Sequence, residues 1–235
     1  FVVLVGTLLW TQRPEDYTPL STENSTPTGT RALAQILRAQ GVEVRQASTM
    51  ADARIQDPRN STLAVVSSEP LAFYQIEALA EYPGDLVLID PSQHLLDELA
   101  PGLSVELSLD SEPVAAQCDE VDAVAAESVA VRGSGITGKP GLGGHLCFVN
   151  SAGQYAYGVV DDNGRRVTII ASADIVTNAH LAEEGHAALA LRALGRHATL
   201  VWTMGDYFDP STITWSDPDG SSNRDGAAPP TEIEA

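Results

Sequence analysis

The chain is poor in positive charge. Lys139 is its single lysine, and lysine plus arginine number 13 against 32 aspartates and glutamates, a formal net charge of −19. So acidic a surface repels polyanions, so neither nucleic acid nor anionic lipid is an expected partner. Cysteine is almost as scarce: Cys118 and Cys147 are the only two. Neither sits in a C-x-x-C pair and no histidine set completes a zinc site, so no structural metal is expected. The two thiols can form one disulfide or stay as two buried free cysteines. A bond would close about 30 residues, worth roughly 3.6 kcal/mol in the chain-entropy model. G-x-S-x-G and G-x-C-x-G, the strand-to-helix elbows that present a nucleophile, are both missing. There is no internal repeat.

Long apolar runs are missing as well. FVVLVGTLLW, residues 1–10, is apolar but half the roughly 20 residues a membrane helix needs. Trp10 followed by Thr11-Gln12-Arg13 looks like the interfacial end of such a helix. Residues 1–12 are therefore read as the end of an N-terminal membrane span, the alternative being a first core strand. Residues 13–24 read as a linker. Residues 206–235 are acidic and nearly free of apolar side chains, which predicts a disordered tail.

What is present between these ends is strand and helix in alternation. Val167 to Trp202 reads strand, loop, helix, strand, the unit of an open α/β sheet. Val167–Ala171 is apolar and β-branched, as in a strand covered on both faces. Thr177 and Asn178 are placed to cap a helix whose apolar side runs Leu181, Gly185, Ala188, Leu191, Leu194. Upstream, Val42–Val44, Leu63–Val66 and Leu86–Ile89 read as strands. Three helices are predicted to start at Thr26-Pro27, Glu69-Pro70 and Asp90-Pro91, each a cap residue followed by proline. Gln93 completes a capping box with Asp90. The alternation breaks at Pro101, and residues 101–160 read as an insertion adding antiparallel strands at the sheet edge. Within it, a helix is expected over Ala115–Ala126 and a flexible glycine loop over Gly133–Gly144. Asp162-Asn163-Gly164 is a hairpin turn. The fold class expected is α/β: three layers around an open, mostly parallel sheet, in a domain spanning residues 25–205.

Several motifs resemble sites in spelling only. Gly133, Gly135, Gly138 and Lys139 match both G-x-G-x-x-G and the start of a P-loop. Both need a helix directly afterwards to hold the phosphate, and Pro140-Gly141-Leu142-Gly143-Gly144 cannot form one. His180 and Glu184, four apart, would share a helix face, but no third metal ligand accompanies them. Residues 217–223 imitate a calcium loop without its closing glutamate. No cofactor or metal is expected.

Open α/β sheets place ligands at the carboxyl ends of their strands. On that rule the candidate ligand-facing residues are Thr28, Gly29, Thr30, Asp90, Ser172, Asp174 and Asn178. The 26–30 turn offers free N–H groups and hydroxyls to an anion, although helix initiation and capping also explain these residues. No catalytic residue is assigned. A nonstandard hydrolase set of Ser172, Asp174 and His180 is the alternative.

The stretch STPTGTRALAQILRAQGVEV (25–44) resembles the opening of the DUF4350 domain of actinobacterial membrane proteins. Thr177-Asn178 with LAEEGHAALALRALG (181–195) and LVW (200–202) resembles its closing block. His186 departs from the asparagine expected after Gly185. The resemblance implies a flavodoxin-like or class I glutamine amidotransferase-like fold with no assigned activity, and pairing of Cys118 with Cys147. It implies a domain held at the cell membrane on the extracytoplasmic side. The partners it implies are a MoxR-type AAA+ ATPase and von Willebrand A-like membrane proteins. The function expected is a non-catalytic, tethered domain that binds a partner protein or small ligand, a scaffold for a ring ATPase being a further reading. Lacking a nucleophile cysteine, it would not perform amidotransferase chemistry.

Overall fold

The structure, a computed structural model, describes residues 15–66, 71–141, 144–162, 164–206 and 208–216. The apolar run at 1–12, the Glu69-Pro70 helix start, Leu142 and Gly143, Asn163, and the part of the 206–235 tail beyond 216, with the calcium-like loop, lie outside the described residues. Within that expected tail Asp209 and Ile213 are buried and Thr214–Ser216 pairs with Arg54–Gln56, so this part is ordered by packing on the domain. Among the described residues no helix is long and apolar enough to cross a membrane.

One nine-stranded sheet organises the chain. Its parallel half runs β1 (Glu43–Ala47), β12 (Thr199–Met204), β3 (Ser61–Val66), β4 (Asp85–Ile89) and β11 (Arg165–Ile170). Its antiparallel half comprises β5 (Leu103–Ser108), β8 (Gly133–Gly138), β9 (His145–Val149) and β10 (Tyr155–Asp162). The sheet is thus mixed rather than mostly parallel. The expected insertion supplies four full strands: β9 turns directly into its partner β10, whereas β5 and β8 pair across the intervening residues 109–132. Two small ladders stand apart: β2 (Arg54–Gln56) with β13 (Thr214–Ser216), and β6 (Pro113–Ala115) with β7 (Ser128–Ala130).

The strands are apolar on both sides because helices cover both faces. In β3 every residue is buried. Leu63 and Val65 join one core with Ile76 and Leu79 of α2 (Phe73–Glu81) and Leu95 and Leu96 of α3 (Gln93–Leu99). Ala64 and Val66 join the other, with Leu33 and Leu37 of α1 (Arg31–Ala39) and Ala123 of α4 (Val121–Ala126). Leu189 and Ala193 of α5 (His186–Leu194) complete that second core. Period-two alternation divides the side chains between the two cores. β11 and β12 share the sheet but are not neighbours; β3 and β4 lie between them.

Several local expectations are corrected. The helix expected from Leu181 begins only at His186, because Asn178 is used elsewhere and Glu184 adopts φ 39°. His180 and Glu184 therefore share no helix face. The 115–126 helix shrinks to α4, capped by the Glu120 carboxylate. Half of the expected glycine loop is strand β8, where Gly135 is required: a Cβ there would sit 2.7 Å from that of Gln154. Of the expected 13–24 linker, residues from Leu20 on pack on the domain, with Ser21, Thr22 and Asn24 buried and the Trp202 indole donating to the Leu20 carbonyl at 3.1 Å. Cys118 and Cys147 are disulfide-bonded, their Cα atoms 5.5 Å apart, which ties the loop before α4 to β9.

A roofed carboxyl edge as the candidate functional site

Asp90 follows β4 directly and takes φ 51°, a left-handed conformation that aspartate tolerates better than most residues. Its N–H donates to the Ile170 carbonyl at 2.9 Å, so the turn stays on the sheet. It does not cap α3, as the cap-then-proline reading expected; Ser92 does, accepting the Leu95 N–H at 3.4 Å. Gln93 makes no capping box either. Its amide accepts from the Val105 N–H at 3.0 Å and donates to the Leu103 carbonyl at 3.2 Å, covering part of the β5 edge. Freed from capping, the Asp90 carboxylate accepts the Ser134 hydroxyl at 3.0 Å. Burial pushes its pKa up; the Ser134 hydrogen bond works against that and the Asp174 charge adds to it, leaving it raised.

The approach of Ser134 follows from topology. Tyr155 pairs with both Val149 of β9 and Ile136 of β8, so those strands lie on opposite sides of β10. Tyr157 pairs with Cys147 of β9 and Ile170 of β11, which puts β11 on the same side as β8. β8 therefore continues along β10 beyond where β11 stops, and its Ser134 reaches Asp90 at the carboxyl end of β4. Gly133 lies so close that a Cβ would meet the Ser172 Oγ at 3.2 Å. At the other half of this edge, the Asp209 carboxylate accepts the Met50 N–H at 2.6 Å, and Gln75 binds the Asp209 and Ser211 carbonyls, both at 2.9 Å. Among the described residues, β8 and the Asp209–Ser211 turn occupy parts of the edge where open α/β sheets bind ligands. Cavities of about 590 and 750 Å³ open at the amino ends instead, beside Asp85, the first residue of β4.

Ser172 and Asp174 do join Asp90 at this edge. Ser172 is buried and its Oγ accepts the Asp174 N–H at 3.2 Å. Asp174 lies 4.0 Å from His180 Nε2, while His180 Nδ1 faces Glu183 at 2.9 Å and Arg132 at 3.0 Å. Nδ1 can serve one of these at a time, donating to the carboxylate or accepting from the guanidinium. Among the described residues no hydrogen bond joins His180 to Ser172, the contact a nucleophile and its base need.

The other expected site residues make a separate knot. The Asn178 amide accepts the Ala32 N–H at 2.9 Å, capping α1 rather than the helix after it. It donates to the Asn24 and Thr26 carbonyls at 2.9 and 2.7 Å. Gly29 is packed, since a Cβ would lie 2.0 Å from the Asn24 carbonyl oxygen, and Thr30 is buried with its hydroxyl on the Leu20 carbonyl at 3.1 Å. Thr28 is exposed and pairs its hydroxyl with that of Thr26 at 3.2 Å. The 26–30 turn is thus held by protein groups, and α1 starts at Arg31, five residues past Thr26. Asn178→Ala should cost about 2 kcal/mol, one cap plus two stranded carbonyls, read as a lower denaturant midpoint.

Sequence reasoning missed Ser134 and Arg132 and gave Gln93 another role. No local signal marks the first two, because their partners Asp90, His180 and Glu183 lie 44 to 51 residues away in sequence. A raised Asp90 pKa means the ionised carboxylate opposes folding. Asp90→Asn should therefore raise the denaturation midpoint at pH 7. That gain should shrink to nothing as the pH falls through the folded-state pKa to below the ordinary aspartate range, as paired unfolding curves would show.

Fold and site together define a mixed-sheet α/β domain in which strand β8 stands at the carboxyl edge of the parallel strands. The chain belongs to the DUF4350 family, a domain of unknown function, whose model matches residues 22–194. It is 30% identical over 213 residues to a protein named "Uncharacterized membrane protein Rv3691" from Mycobacterium tuberculosis (strain ATCC 25618 / H37Rv). The match covers 88% of this chain and 53% of the relative, so the chain spans about half that protein's length. Among solved structures, the mmIFT52 N-terminal domain matches with TM-score 0.48 and 11% identity, over 77% of this chain and 92% of that one.

Proposed function

We propose that this chain is a non-catalytic, membrane-tethered, extracytoplasmic domain that docks a partner protein on the carboxyl edge of its sheet. One observation carries the reading: β8 stands beyond the end of β11 with Ser134 on Asp90, so protein chain presents a surface at that part of the edge. A disulfide fits an oxidising compartment, outside the cytoplasm. Membrane attachment rests on the relative, which its name calls a membrane protein. A MoxR-type ATPase or a von Willebrand A-like membrane protein is the partner class to test first.

The test places a photo-cross-linking residue at Leu107, beside Ser134 in the β5–β8 pair, in the native membrane-resident protein. A discrete cross-linked partner, absent when the same residue is placed at exposed Glu43, is expected. Absence of any Leu107-specific product would remove the reading. Fluorophosphonate labelling checks the non-catalytic part: Ser172-dependent labelling would restore the hydrolase alternative.

A further inference from the structure

The end of β5 carries two exposed leucines in an acidic setting. Leu107 is 74% exposed and Leu109 89%. The backbone that carries Leu107 is held by its neighbours. Between them Ser108 is buried, its hydroxyl donating to the Val131 carbonyl at 2.6 Å and accepting from Asn150 at 3.2 Å. The Leu107 carbonyl accepts the Gln154 amide at 2.9 Å. Leu103 and Val105 alternate with Ser104 on the strand and enter the core, so Leu107 continues their stripe beyond it. Large aliphatic side chains held on rigid backbone in water mark a binding surface more often than scattered ones do.

The charges around them are mostly acidic. Leu107 pairs with Ser134, whose hydroxyl is on Asp90, and Asp90 feels the Asp174 charge. Glu106 and Glu112 are exposed and Asp110 half-buried on the same stretch. The cation two residues before Ser134 is Arg132, already engaged by Glu183 at 3.2 Å. Ser134 holds Asp90, and its neighbour Gly133 abuts Ser172, whose Oγ accepts the Asp174 N–H at 3.2 Å, so both carboxylates stand beside Leu107 and both attract a cation brought there. A second copy of this chain would bring the same acids, and an acidic lipid surface would be repelled.

We propose that this ridge receives a basic, aliphatic segment of a partner protein, with leucine-like side chains against Leu107 and Leu109 and a lysine or arginine between Asp90 and Asp174. The inference rests on the carboxyl-edge docking reading and adds the partner's chemistry. Ten-residue Gly/Ser peptides carrying two leucines and three lysines, and counterparts with glutamate for lysine, are the probes. Anisotropy with the full chain at 150 mM salt should show the lysine peptide binding at least about 10-fold tighter. L107S/L109S, which leaves the charge unchanged, should weaken it about 10-fold, as should D90N/D174N. E43Q/E77Q, which removes two remote acids, should leave it within about twofold. Equal binding of both peptides, no effect of L107S/L109S, or an equal effect of E43Q/E77Q would overturn the proposal. So would a dimer in sedimentation that L107S/L109S dissolves, since the occupant would then be a second copy. A Leu107 cross-link without lysine preference removes only this inference; no cross-link removes the docking reading itself.

Discussion

Replacing Asp122 with alanine is expected to lower unfolding free energy by about 3–5 kcal/mol, the largest loss for any single side chain described above. Asp122 is 2% exposed and sits in the first turn of α4. Its carboxylate accepts the Tyr157 hydroxyl at 3.2 Å, faces Arg166 at 3.4 Å and Arg192 at 3.3 Å, and pairs with Arg196. It thereby joins the inserted helix to β10, β11 and the end of α5. Glu120 holds Arg166 at 2.7 Å but reaches Arg196 only at 3.8 Å, so it cannot replace Asp122. Burial raises the Tyr157 pKa, partly offset by Arg166, so its hydroxyl stays protonated and needs an acceptor. Alanine would leave that hydroxyl and guanidinium groups facing each other with one carboxylate fewer. Because the arginines are partly exposed, water can reach them, and the loss should fall nearer 3 than 5 kcal/mol. Urea unfolding measures it. A cycle with Tyr157→Phe should show coupling of about 0.5–3 kcal/mol, as contacting groups do. Additivity would mean that Asp122 acts through its arginines alone.

Removing the disulfide by the paired change Cys118→Ser and Cys147→Ser is expected to cost about 3 kcal/mol. The bond closes a loop with a sequence separation of 29. That loop holds α4, β7 and β8, the segments that carry Asp122 and Ser134. The chain-entropy estimate is about 3.6 kcal/mol. Burying a serine hydroxyl where Cys147 is fully buried would add to the loss. Reduction of the unaltered protein isolates the entropic part. Unfolding curves with and without reductant should separate by about 3 kcal/mol, and the serine pair should show no such separation. Protection of β8 amides against exchange should fall most, since β8 is paired with β10 at one position, Ile136 with Tyr155.

The sequence alone determined the layered α/β class, the buried strands, the turn into β11, the insertion after Pro101 and the family. Each rests on a local quantity: alternation of apolar residues, a run too apolar for one-sided burial, a turn-forming triplet, or blocks of matching residues. Local chemistry could not say how caps are shared. Asn178 reads as a cap for the helix after it and in fact caps α1, because the cap goes to whichever helix end the fold brings near. Asp90 reads as the start of α3, yet Ser92 takes that role and leaves Asp90 to Ser134. The glycines at 133, 135 and 138 read as a loop, since glycine is a poor strand former. The structure uses them where β8 must pass within contact of Ser172, Gln154 and the Gly102 carbonyl.

Only the tertiary structure decided whether the expected site residues converge. It gathered Asp90, Ser172 and Asp174, and sent Thr28, Gly29, Thr30 and Asn178 into a knot of backbone hydrogen bonds. The reason is strand order: β8 lies beyond the end of β11 because β10 is longer than its neighbour and offers pairing there. That extra length is visible in the sequence as a run of residues. What it pairs with depends on contacts across distant parts of the chain, which no local pattern encodes.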